Sequence, residues 1–188
     1  MKRTEPPTKD ELVRAIDDLF YAAHQTALYA YWKLIERPLT SSLGVCGIPD
    51  AKTYFNNGIL ESSLLLIRKT TEFFKPKQNR DRPDTLFAYR YLPNWGGICW
   101  LIGKDDYKEL HNRIGHITIR EARYGKQTWQ IVELTVSAIE KWITFFSEVA
   151  QSLVFDGNPP NKKLEDFVAS LKEVSRGCRV LLAKQTRT

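Results

Sequence analysis

TWQIVELTVSAIEKWITFFSEVAQSLVFD, from Thr128 to Asp156, decides what kind of fold this chain adopts. Val132, Val136, Ile139, Ile143, Phe146, Ala150 and Leu153 recur at steps of four and three, the repeat of one face of an α-helix. Trp129, Trp142 and Phe145 lie off that line and widen the apolar face. A helix greasy over so wide an arc is either contacted on two sides or helps to build an oligomer interface. Asp156 and Gly157, followed by Asn-Pro-Pro-Asn, stop it.

The same periodicity extends outward from this segment. At the amino end residues 1–7 read as a frayed tail, and Thr8 with Glu11 forms a capping-box signature. A long helix follows to about Arg37, with Leu12, Ile16, Leu19, Ala23, Ala27, Ala30 and Leu34 on one face, and Pro38 ends it. His24 stands beside that stripe and reads as a structural histidine. Residues 38–50, with Gly44, Gly47 and Pro49, form a loop. The next helix starts near Asp50, with Asn56, Asn57 and Gly58 expected to disturb its beginning, and is well formed where Leu60, Leu64, Ile67, Thr71 and Phe74 line up. Beside that line run Glu61, Leu65, Arg68 and Glu72. Burying an unpaired guanidinium is costly, so Arg68 is expected to pair with Glu61 or Glu72, or to reach a polar pocket.

From Lys75 to Gly103 the periodicity fails. A polar run, KPKQNRDRPD, precedes the aromatic LFAYRYLPNWGGICWLIG, which predicts an excursion across one face of a bundle with a short helix. Arg90 with Tyr89, Tyr91 and Trp95 is a candidate base-stacking surface, the alternative being that these rings are core. The last helix, expected to be capped by Asn161, uses Leu164, Phe167, Leu171, Val174, Cys178 and Leu181, with Gly177 a weak point. Its segment, 161–188, carries seven Lys/Arg against three Asp/Glu. No strand pair and no internal repeat is visible. The expectation is all-α: one domain over residues 1–188, an antiparallel bundle of four to five helices with a long aromatic crossover loop and an irregular insertion at 75–103.

A hydrophobic share of 43% with 27% charged residues is globular composition and argues against disorder along most of the length. The net charge of +6 permits nucleic acid as a partner, although the basic residues are dispersed. Cys46, Cys99 and Cys178 are odd in number and far apart, which suits reduced thiols. The amino end lacks the apolar run of a signal peptide, and no stretch is apolar enough to span a membrane. A cytoplasmic protein with no membrane association is expected. Metal-ligand spacings, nucleotide-cradling glycine loops and a nucleophile elbow are all missing from the sequence, so neither a metal nor a cofactor is expected.

The residues able to do chemistry gather in DDYKELHNRIGHITIREARY, Asp105 to Tyr124. Tyr107, Leu110, Ile114 and Ile117 form an apolar stripe. His116 falls on one shoulder of it with Glu109, Arg113 and Arg120, and His111 on the other. Five residues on a regular helix turn through about 140°, so the two histidines face apart, whereas Asn112 and His116 share a face. Cleaving RNA without a metal needs a base for the 2′-hydroxyl, an acid for the leaving oxygen and positive charge for the crowded phosphate. His116 can serve as base, Asn112 can hold its ring or the phosphate, and Arg68 or Arg113 can supply charge. A histidine bonded to a carbonyl at a helix contact is the alternative reading of the same residues.

HNRIGH at 111–116, together with ESSLLLIRKTTEFF at 61–74 and NRIGHITIREARYGKQTWQIVEL at 112–134, resembles the HEPN superfamily over roughly residues 50–150. Its signature is an Arg and a His four to six residues apart on a helix of an all-α bundle. The resemblance implies a metal-independent endoribonuclease, a toxin or a phage-defence component, acting as a homodimer on RNA, with a cognate protein partner in some members. It assigns Asn112 and His116 to the motif's polar residue and histidine. His111 occupies the place of the motif arginine, and Arg113 is too near His116 to replace it, so Arg68 from the neighbouring helix is the candidate substitute. Arg113, Arg120 and Arg90 complete the expected RNA-binding set. Because some superfamily members bind without cleaving, the resemblance also admits a non-catalytic interaction, scaffold or antitoxin-like module.

Overall fold

The computed structural model describes residues 7–35, 51–77, 85–95, 108, 131–152 and 160–185, and among them every regular element is a helix. The first, α1 (Lys9–Arg14), begins as its sequence dictates. The Thr8 amide donates to Glu11 Oε2 at 2.7 Å, and the Glu11 amide donates back to Thr8 Oγ1 at 3.3 Å. This reciprocal pair satisfies two donors that the first turn would otherwise leave open. Ala15 then separates α1 from α2 (Ile16–Ile35). The amides of Ala15 and Leu19 still reach the carbonyls four residues back, at 3.0 and 3.2 Å, so the hydrogen-bond ladder carries across the joint. The single helix expected here therefore persists as two segments.

Beyond lie α3 (Ala51–Phe74), the one-turn α4 (Ala88–Tyr91), α5 (Ile131–Gln151) and α6 (Pro160–Gln185). Asn56, Asn57 and Gly58 do not break α3, and Gly177 does not break α6. Two boundaries differ from expectation. α5 stops at Gln151, five residues early, because the amide and hydroxyl of Ser152 both donate to the Val149 carbonyl, at 3.1 and 3.0 Å, and close the last turn. α6 starts at Pro160, so Asn161 is inside the first turn rather than its cap; proline suits that position because it has no N–H to satisfy.

α5 is the central element. It packs against α6, α2 and α3, which is why its apolar face is wider than one stripe. Ile139, Trp142, Phe145, Phe146 and Val149 are all buried. Trp142 and Phe145 face other parts of the same chain, so no oligomer interface is required to cover them. Trp142 stacks on Phe73 of α3 (5.0 Å, 23°) and on Phe146 (5.5 Å, 20°), and its Nε1 donates to Thr70 Oγ1 at 3.3 Å. Phe145 meets Phe73 edge-on at 5.1 Å and Tyr91 of α4 at 5.6 Å. Each such ring pair adds about 0.5–1.5 kcal/mol beyond the area it buries.

Side-chain pairs fix the directions of the helices. Glu140 of α5 bonds Arg179 of α6, whereas Phe146, further along α5, meets Phe167, nearer the start of α6. These two helices are antiparallel. α2 and α6 run in the same sense, since Asp17 pairs with Lys163 and, one turn on, Phe20 packs on Phe167. The core that results joins Leu12, Ile16, Leu19 and Ala23 to Phe73, Phe74, Tyr91, Leu164 and Leu171. Cys178 is a buried thiol of that core, as its place on the α6 stripe predicts. His24 is not packed; it is exposed on the outer side of α2, beside the exposed Tyr21 and Leu28. One residue is about 100° of helical turn, and that carries position 24 off the core line marked by Ala23 and Ala27. No helix among the described residues is long and apolar enough to cross a membrane.

Candidate functional site

Ser63, Leu64, Ile67, Thr70, Thr71, Phe73 and Phe74 are buried, which fixes how α3 is turned. Arg68 follows the fully buried Ile67 by one position and so lies on the flank of the buried face, half-buried. Among the described residues no ion pair joins it to Glu61 or Glu72, contrary to the pairing expected along α3. Both absences have a physical reason. An Arg-to-Glu pair at i, i+4 with the cation first is the weaker orientation on a helix, and Glu61 lies seven residues back, about 10 Å along the axis. Thr71, beside it, spends its hydroxyl on the Ile67 carbonyl at 2.7 Å. What α3 offers at this point is a guanidinium between core and solvent that no carboxylate of its own helix holds.

Arg90, on α4, is placed differently. Phe87 and Tyr89 stack at 5.2 Å and 13°, and the Arg90 guanidinium carbon lies 5.7 and 5.9 Å from their ring centroids. Lys75 Nζ approaches the same Phe87 ring to 4.7 Å. The Arg90 cation is thus drawn over aromatic faces, an attraction of about 0.5–2 kcal/mol depending on desolvation. Lys75 was not singled out by the sequence, although its place seven residues after Arg68 puts it on the same side of α3. Arg68 and Arg90 stand on different elements, α3 and α4.

Of the two readings of Tyr89, Tyr91 and Trp95, a base-stacking surface or core, the packing of Tyr91 and Trp95 follows the second. Tyr91 is completely buried, its hydroxyl donating to the Leu12 carbonyl at 3.2 Å. Trp95 stacks on Phe74 (5.7 Å, 30°) and meets Phe145 edge-on at 5.8 Å. Two of the three rings therefore serve the core, because an apolar segment crossing a bundle gains more by covering it than by standing in water. Among the described residues the buried Trp95 Nε1 has no hydrogen-bond partner. His111, Asn112, Arg113, His116 and Arg120 lie outside the described residues, as do Cys46, Cys99 and Trp129. Among the described residues no three His, Cys, Asp or Glu side chains gather as metal ligands.

No family model, no curated protein and no solved structure matches the chain.

Proposed function

We propose that this chain is a HEPN-like RNA-binding protein that cleaves RNA without a metal, with His116 as the base, Asn112 holding its ring or the phosphate, His111 in the place of the motif arginine, and Arg68 supplying positive charge to the phosphate. The observation that carries the reading is Arg68 itself, half-buried on the flank of α3 and taken up by neither Glu61 nor Glu72. A guanidinium kept partly out of water and away from its own carboxylates is suited to a phosphate, which it can bind through two parallel N–H bonds. The all-helical bundle agrees with the resemblance carried by residues 61–74 and 112–134, and the net charge of +6 favours a polyanion.

The test is incubation of the purified chain with mixed RNA in EDTA, comparing wild type with His116→Ala and Arg68→Ala. Cleavage by the wild type alone, with each variant reduced by about tenfold or more, is expected of a positioned base and a charge-stabilising group. Equal cleavage by all three, or none by any, removes the nuclease. Fluorescence anisotropy on single-stranded RNA then addresses binding separately. An Arg68→Ala variant that binds as tightly as wild type removes the assigned role of α3, and a wild type without affinity leaves a non-catalytic interaction module.

A further inference from the structure

Away from α3, the outer side of the α5–α6 pair forms an open groove of about 470 Å³. Its apolar lining is Ile143 of α5 with Val180 and Ala183 of α6, of which Val180 is 51% exposed, and the buried Ser175 lines it as well. Along its α6 wall stand Lys172, Arg176 and Arg179, at steps of four and three, so the three cations make one ridge on one helix face. Val180 beside these cations offers apolar area that a partner both apolar and acidic would remove from water.

The bonds already present show which chemistry the ridge accepts. Arg179 donates through Nε to Glu140 Oε1 at 2.9 Å and through Nη2 to the same oxygen, and Arg176 pairs with Glu173. Both arginines therefore sit in geometry suited to carboxylates. The Arg176 side chain is 74% exposed and that of Arg179 65%, so these are solvent-screened pairs that an incoming carboxylate can exchange at little cost. Lys172 has no ion pair among the described residues. Counting Glu140 and Glu173 against Lys172, Arg176 and Arg179, one positive charge remains, that of Lys172. Nucleic acid fits poorly, because no aromatic ring lines the groove to stack a base. The walls are two antiparallel helices, and the slot between such helices accepts a third helix presenting anchors at i, i+3 or i+4, and i+7.

We infer that the α5–α6 groove is a docking site for an amphipathic helix of another protein, one whose apolar stripe covers Val180, Ile143 and Ala183 and whose flanking Asp and Glu side chains pair with Lys172, Arg176 and Arg179. This site is independent of Arg68 and of any activity on RNA. The probe is a fluorescein-labelled synthetic helix carrying Leu at i, i+3, i+4 and i+7 with Glu flanks, titrated with the full chain and followed by anisotropy. A second peptide has the same Leu stripe with Lys flanks. At least tenfold tighter binding of the Glu-flanked helix is expected, with a loss of tenfold or more in Val180→Asp. Lys172→Glu combined with Arg176→Glu should reverse the preference toward the Lys-flanked peptide. All three positions are solvent-exposed, and unchanged thermal unfolding of the variants verifies that the fold is intact. Equal binding of the two peptides, or binding indifferent to Val180→Asp, overturns the proposal. So does sedimentation showing a self-associated chain that Val180→Asp makes monomeric, which would give the groove to a second copy. Val180-dependent pelleting with phosphatidylserine vesicles would give it to a lipid surface and overturn it equally.

Discussion

Tyr91 brings a titratable hydroxyl into the middle of the core, among Phe73, Phe145 and the Leu12 carbonyl. Burial, and after it the negative charge of Asp18, disfavours the phenolate and raises the pKa above its ordinary value. The sign of the consequence follows. Above about pH 10 the unfolded chain loses this proton while the folded chain keeps it, so stability falls with rising pH, by up to about 1.4 kcal/mol per unit. Below that pH Tyr91 contributes no pH dependence. Urea midpoints measured from about pH 8 to about pH 11 should therefore decline more steeply for wild type than for Tyr91→Phe. At neutral pH the Phe variant should lose about 1 kcal/mol, the worth of one hydrogen bond. Parallel pH profiles for the two proteins would mean that the hydroxyl reaches water.

Two helices contain glycine where nothing requires it. A Cβ added at Gly58 in α3 or at Gly177 in α6 would meet no atom within 4 Å. Glycine in a helix interior costs roughly 0.5–1 kcal/mol relative to alanine, because the unfolded chain has more freedom to lose. Gly58→Ala and Gly177→Ala should each raise the unfolding free energy by about that amount, and together by about the sum, since the sites share no contact. A thermal melt showing destabilisation in either would imply that something packs against that helix face. The sequence suggested that both glycines weaken their helices, and α3 and α6 run through them because burial of Leu64, Ile67, Leu164 and Leu171 outweighs a propensity penalty of this size. The capping box at Thr8 was equally legible, being a local bond pattern that spans four residues. The end of α5 was not. Leu153, Val154 and Phe155 keep the segment apolar beyond Gln151, and only the bonds of Ser152 to the Val149 carbonyl show where the turn closes.

At the scale of the molecule, periodicity was enough to identify an all-helical bundle, since Val136, Ile139 and Phe146 point inward wherever α5 is placed. It was not enough to say which rings of the aromatic insertion join the core, because Tyr91 and Trp95 have no repeat to align them and are ordered by Phe74 and Phe145 from distant parts of the sequence. The candidate site was less legible still: Arg68 could be named from its greasy surroundings, but the absence of its expected carboxylate partner is a three-dimensional fact. Phe145 is where the elements meet, in contact with Phe73, Phe74, Tyr91, Trp95, Trp142 and Phe146 from three helices and the insertion. Phe145→Ala removes those contacts and leaves a cavity, costing about 3–5 kcal/mol, a large part of the 5–15 kcal/mol available to a domain. Its unfolding midpoint should fall far below wild type while the transition stays single, if α3, the insertion and α5 form one cooperative unit. Two separated transitions would show instead that the 85–95 segment detaches from the helices before they part. Arg68→Ala should leave the same midpoint nearly unchanged, and that contrast separates a side chain placed for a ligand from one placed for the fold.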